Sequence, residues 1–359
     1  MSRSTIFPIL LILPAIALGQ DAVPYDLSSV PKAAPIKPTG KYNTTFSPVA
    51  AARYLDIASL NWQRDRKCAT CHTNMAYLMA RPALVGRSPS SGEVREFFEQ
   101  YIDSRWSGEG NAPKDGDYRP VVIATGLVMN DIASNAKLSD ASHAALDLMW
   151  TTQRDDGSWK WAKCGWAPME IDDHYGVTLA AIAVGTASDA YTLSPQAIEG
   201  IRRLRLYLQK TAAPSIHHRL MMLWTSLHLN GVLSVDQQNK IIEELFASQR
   251  SDGGWSTAQF LVDWNEFKRK DNLEPEVLKS DAYATGLGLI LLRGLGYQQN
   301  DPRIQSAIRW LETHQDDDGK WFTPSPSKDS KQYFTNMGTA FAILGLDAYE
   351  RLNSSSQTE

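Results

Sequence analysis

Along this chain apolar and polar positions follow a helical period in a two-step rhythm. A segment with one charged face is followed by a segment that is apolar nearly all round and rich in Gly, Ala and Thr. Segments of the first kind fall near 48–63, 91–106, 140–153, 194–211, 234–249 and 302–315. Those of the second kind fall near 70–84, 119–134, 173–186, 216–230, 281–295 and 335–350. Glu93, Arg95, Glu96 and Glu99 mark one polar face and Arg202, Arg203 and Arg205 another, whereas Ala282 to Leu292 carries no charge. A helix with a polar face lies at the surface, and one without is buried on all sides. Alternating β-branched residues are scarce and no hairpin signal separates two strand-like runs, so no sheet is expected. The pattern predicts an all-α fold over residues 48–350: six helical hairpins, with six inner helices ringed by six outer ones, an α6–α6 toroid.

The joints between hairpins carry a repeat of their own. Gln153-Arg154-Asp155-Asp156-Gly157-Ser158-Trp159 follows one amphipathic helix, and the pattern returns at Gln249, Asp252, Gly253 and Trp255 and at Gln315, Asp318, Gly319 and Trp321. The Gly allows the chain to reverse through a positive φ. The Gln amide is suited to free helix-end groups, and the Trp to packing on an outer helix. These residues are expected to staple repeats together rather than to do chemistry. The three turns resemble the QW repeats of squalene–hopene cyclases, a family whose toroid is shared by the β subunits of protein prenyltransferases. The resemblance implies the same six-hairpin toroid. Full cyclases hold substrate between two such domains, and this chain has room for one.

Composition narrows the setting. The 359 residues are 43% hydrophobic and 21% charged, enough for a large core, and a net charge of −4 without a basic run gives no reason to expect a nucleic-acid partner. Arg3, the apolar run Ile6 to Leu18 and Ala17-Leu18-Gly19 read as a cleaved secretory signal peptide over residues 1–19, which predicts export to the periplasm or beyond. Residues 20–47, with Pro24, Pro31, Pro35 and Pro38, read as a linker, and residues 351–359 as a disordered tail.

In a toroid the starts of the inner helices converge on one mouth, and helix N-termini offer free N–H donors. Candidate chemistry is therefore sought there. Cys68-Ala69-Thr70-Cys71-His72 has the spacing of c-type haem attachment, with two thiols for the vinyl groups and His72 for the iron. A thiolate and histidine metal site and a simple disulfide are the other readings. Cys164, a third thiol, is expected to be buried and inert. Glu170-Ile171-Asp172-Asp173-His174-Tyr175 is the second candidate. Glu170-x-Asp172-Asp173 resembles the Asp-x-Asp-Asp of the cyclases, which implies Asp172 as an acid that protonates an alkene. Asp172-x-His174 resembles the zinc-binding Asp-x-Cys of the prenyltransferases, which implies a metal there. Clustered carboxylates in a cavity raise one another's pKa, as an acid needs, while an N-cap role for Asp172 or Asp173 is the plainer account. His217-His218 is the third candidate. Adjacent helical residues point about 100° apart, so at most one of the pair is expected to face the mouth; with haem present, His174, His217 or His218 becomes the candidate distal ligand. Arg81 suits a haem propionate or phosphate, or a helix end.

These signals predict an exported toroid with covalent haem at Cys68, Cys71 and His72. It would do redox chemistry on an isoprenoid-like molecule or exchange electrons with a redox partner protein. The alternatives are a haem-free terpenoid cyclase or prenyltransferase-like enzyme using Asp172 as acid or zinc ligand, and a non-catalytic binding toroid.

Overall fold

Short polar residues before apolar runs set where the helices begin. Ser47, Ser139, Ser194, Ser215 and Ser234 each cap a helix by accepting the backbone N–H three residues on, and Pro48, Pro195 and Pro302 occupy first turns, where a missing N–H costs nothing. A computed structural model describes residues 30–84, 89–106, 116–135, 137–187, 189–264, 267–272, 279–329 and 332–352. The helices are α1 (Pro48–Arg66), α2 (Ala76–Ala80), α3 (Pro89–Trp106), α4 (Arg119–Asn135), α5 (Asp140–Thr151), α6 (Asp173–Thr186) and the single turn α7 (Asp189–Thr192). They continue with α8 (Pro195–Lys210), α9 (Ile216–His228), α10 (Val235–Ala247), α11 (Ala282–Gly294), α12 (Pro302–Thr313) and α13 (Phe334–Asp347). Among the described residues there is no strand, only isolated bridges. The fold is all-helical. No described helix is long and apolar enough to cross a membrane. The expected leader at 1–19, the linker to residue 29 and the tail from 353 lie outside the described residues.

Two kinds of helix are present. In α8 the buried residues are Ala197, Gly200, Ile201, Leu204 and Leu208, one stripe at three- and four-residue spacing. In α6 every residue from His174 to Val184 is buried. The enclosed helices pack in cyclic order: α2 on α4, α4 on α6, α6 on α9, α9 on α11, α11 on α13 and α13 back on α2. Three differences from the sequence pattern stand out. The first inner segment is α2 entered through a π-helical turn (Cys71–Met75) and left through a 3-10 turn (Arg81–Ala83). The short α7 precedes α8. The linker's end is tied down, with Asn43 bonded to Gln315 and the Tyr42 ring against His314.

The three Gln-to-Trp turns share one geometry. Gln153 donates from Nε2 to Gly157 O at 3.1 Å and to Gly200 O of α8 at 3.0 Å. Gln249 does the same to Gly253 O and to Arg303 O of α12, at 2.8 and 2.9 Å. Gln315 reaches Gly319 O at 3.1 Å and Ser47 O, at the start of α1, at 2.9 Å. Each indole N–H bonds the carbonyl ten residues earlier: Trp159 to Met149, Trp255 to Leu245, Trp321 to Leu311. Gly319 needs its missing side chain twice over, since φ is +94° and a Cβ would lie 2.1 Å from Ala50 O. Each turn thus fastens one outer helix to the next, and the third fastens the last repeat to the first.

Candidate active site at the starts of α6 and α9

Asp172 is the N-cap of α6. One carboxylate oxygen accepts the His174 N–H at 3.1 Å, and the other faces His218 Nε2 on α9 at 2.7 Å. His218 is in turn fixed by Ser215, the N-cap of α9, whose Oγ lies 2.6 Å from Nδ1. A hydroxyl, an imidazole and a carboxylate therefore stand in line, anchored on two helix starts. Burial works to raise the Asp172 pKa, but the His218 hydrogen bond, with the electrostatic attraction of the two neighbouring imidazoles, outweighs it and leaves it below the usual carboxylate value. Asp172 is held ionised. That is the reverse of what an alkene-protonating acid requires, so the expected role of Asp172 as proton donor does not fit its surroundings.

His174 completes the group. Its ring lies 5.0 Å from that of His218, it is 2% exposed, and neither ring nitrogen has a hydrogen-bond partner. Burial, then the neighbouring His218, lowers its pKa to about 4. It is a neutral imidazole with donor and acceptor both unmet. Leaving a buried polar atom unpaired costs about 1–3 kcal/mol, and such exceptions in a folded protein ask for an explanation.

Both members of the His217-His218 pair are enclosed. The inner helix is surrounded, so a 100° step carries the next side chain to another neighbour rather than to solvent. His218 turns to α6, and His217 Nε2 meets the Tyr283 hydroxyl of α11 at 2.8 Å. Burial and His218 push the His217 pKa well below its ordinary value. Asp173 is drawn away from the group: it accepts the Trp161 N–H and pairs with Arg154 and Lys163, so it orders the loop before α6. Trp264, edge-on to the His218 ring at 4.7 Å, belongs to a small apolar cluster with Ala167 and Leu261, supported by Ile171 and Phe267. Two loops supply that cluster, which touches the polar group through Trp264 on His218. Ser215 and Trp264 were missed by sequence reasoning. The Ser-x-x-His spacing at a helix start was a usable signal for the first; nothing local marked the second.

The Cys68–His72 segment forms a second region of the mouth. The two thiols are not joined in a disulfide. Cys71 is buried, with Sγ 3.7 Å from Glu170 Oε1, and burial and that carboxylate push its pKa well up. His72 Nδ1 lies 2.7 Å from Thr73 Oγ1. Fixing one ring nitrogen in this way is what orients the other in ligating histidines. The rings of Trp62, Trp166 and Tyr333 surround the imidazole at 4.7, 5.0 and 5.7 Å between centroids. In donor chemistry and order the segment fits haem attachment, while the space beside His72 is filled by these side chains. Cys164 is exposed, against the expectation that it is buried; its carbonyl accepts from Lys270 Nζ at the surface of the loop. Arg81 is buried against Asp56 and bonds Leu84 O, a structural pairing. His72 stands apart from His174, His217 and His218, and among the described residues no three His, Cys, Asp or Glu side chains are disposed to hold a metal ion.

No family model matches the chain, and no curated protein matches it. Among solved structures it is similar to a polysaccharide lyase, with a TM-score of 0.50 and 12% identity over 84% of this chain and 97% of that one. It is also similar to a possible GH105 family member from Salmonella enterica serovar Paratyphi A (TM-score 0.46, 13% identity, 77% and 81% covered). A possible GH105 member from Klebsiella pneumoniae gives 0.43 and 13% identity, with 76% and 79% covered. The first likeness carries the overall fold and none of the chemistry.

Proposed function

We propose that the chain is an exported six-hairpin α/α toroid, and that it is an acid–base enzyme working at the starts of α6 and α9. The cyclic packing of the inner helices and the third Gln-to-Trp turn support the closed ring. The observation that carries the activity is His174, buried with both ring nitrogens unmet beside the Asp172–His218 pair. Asp172 is the base, oriented by His218, which Ser215 holds; His174 binds the reacting molecule and exchanges a proton with it. Roles of this kind contribute about 10²–10⁴-fold each. The test is a turnover screen of the mature chain over glycosidic, ester and terpenoid substrates, with Asp172→Asn and His174→Gln alongside. The expected result is loss of turnover in both at an unfolding free energy within about 1 kcal/mol of the wild type. A doubly substituted protein of undiminished turnover overturns the reading.

A second reading is favoured by one observation, two unbridged thiols leading into an inner helix with His72 next to them. Cys68 and Cys71 would carry haem through thioethers and His72 would ligate its iron, which would supply one-electron chemistry to a redox partner. Mass spectrometry of chain matured with the attachment machinery decides this. Added mass of one haem, lost in a Cys68→Ala, Cys71→Ala protein, is the supporting result; the bare chain mass contradicts it.

A further inference from the structure

We infer that the site at His174 and Asp172 takes a polyhydroxylated, carbohydrate-like ligand in place of an apolar one; this rests on the acid–base reading above. A neutral imidazole offers one N–H donor and one nitrogen acceptor. In His174 both are buried and both lack partners. A complementary ligand therefore brings an acceptor to one nitrogen and a donor to the other. A hydroxyl does either, and two hydroxyls on neighbouring carbons of a ring bring both in one rigid unit. A hydrocarbon leaves both atoms unmet.

Asp172 extends the match. Its side chain is 31% exposed, and a carboxylate has about four lone-pair sites, more than the α6 amides of His174 and Tyr175 and the His218 imidazole consume. A further hydroxyl donates there. Trp264, packed perpendicular to the His218 ring, adds an aromatic side chain beside that imidazole. Few polar groups among aromatic side chains is the usual build of a small-ligand site, and a sugar ring is apolar on its face and hydroxylated at its edge. The feature is more than a helix N-terminus, because the unpartnered imidazole beside it points independently to a ligand.

The experiment is a long-range proton–nitrogen spectrum of the imidazoles of the ¹⁵N-labelled mature chain. It is titrated with glucose, mannose and a mixture of neutral oligosaccharides in one set, and with farnesol in another. The expected result is a saturable shift of the His174 and His218 signals by at least one sugar arm, the His218 shift requiring at least about tenfold more sugar in His174→Leu, with farnesol leaving both in place. A His72→Phe protein keeps the sugar response and shows that the loss is specific. A shift by farnesol, or none by any sugar arm, overturns the inference. The two readings fail separately: sugar binding with turnover intact in Asp172→Asn sinks the acid–base reading alone. Asp172-dependent turnover of a non-sugar substrate sinks the carbohydrate class alone.

Discussion

The stapled turns and the α6/α9 mouth are both built from polar side chains at helix ends, and they use them in opposite ways. At the turns the Gln amide N–H groups are spent on carbonyls, each Trp N–H on the end of the preceding outer helix, and the same contacts recur three times. At the starts of α6 and α9 the polar contacts of Asp172, His218 and Ser215 are particular to one repeat. Asp172, His218 and Ser215 satisfy one another, and His174 is left buried without a partner. Repetition with paired atoms is what a structural joint requires. A single unpaired imidazole in a surrounded helix does nothing for the joint, and on the proposed reading it is where stability is given up for a ligand.

The largest expected effect lies on the stapled side. Trp321 is 1% exposed and closes the last turn, so Trp321→Ala is expected to cost about 3–5 kcal/mol in denaturant unfolding. Gln315→Ala comes next. It removes the bonds from Nε2 to Ser47 O and Gly319 O, and those from Ser47 N and Asn43 Nδ2 to Oε1, for about 2–3 kcal/mol by the same measurement. A loss much under 1 kcal/mol there would mean that the ring does not depend on being stapled.

Acidification sharpens the contrast from the other side. His174 has a folded pKa of about 4 against an ordinary 6.5. The unfolded chain therefore takes up a proton first, and stability present above pH 6.5 is lost as pH falls towards 4. His228, also near 4, acts in the same sense, while burial lifts Asp281 and Asp347 to about 6, and these gain stability as pH falls below that value. Comparing the wild type with His174→Gln isolates one group. From pH 7 to 5 the wild type is expected to lose about 2 kcal/mol more than the variant. The smallest stability effect belongs to Asp172→Asn. Its pair with His218 is partly exposed, so the unfolding free energy is expected to fall by about 1 kcal/mol or less, while the His218 Nε2–H signal moves upfield.

The stapled half was legible in the sequence and the mouth only in part. Helix α6 begins and ends where its apolar run does, at Asp173 and Thr186, because a run without a charged face fixes its own burial. The Gln-to-Trp turns were legible because each is local and repeated. Asp172 could be picked out as a helix start, but its partner His218 lies 46 residues on, and periodicity does not say which neighbour a surrounded side chain meets. For the same reason His217 and His218 both turned out enclosed. Trp264 sits in a loop whose cluster with Ala167 and Leu261 depends on two segments far apart in sequence. Cys164 is exposed because it lies in a surface loop whose carbonyl meets Lys270, and a lone thiol between tryptophans carries no local sign of that.

The central claim is that His174 serves a ligand and not the fold. Its most direct test is the unfolding free energy of His174→Leu at neutral pH. An apolar side chain of similar size removes two unpaired buried nitrogens, so the variant is expected to match the wild type or exceed it by about 1 kcal/mol. A loss of about 2 kcal/mol or more would show that the imidazole holds the structure together, and would contradict the account.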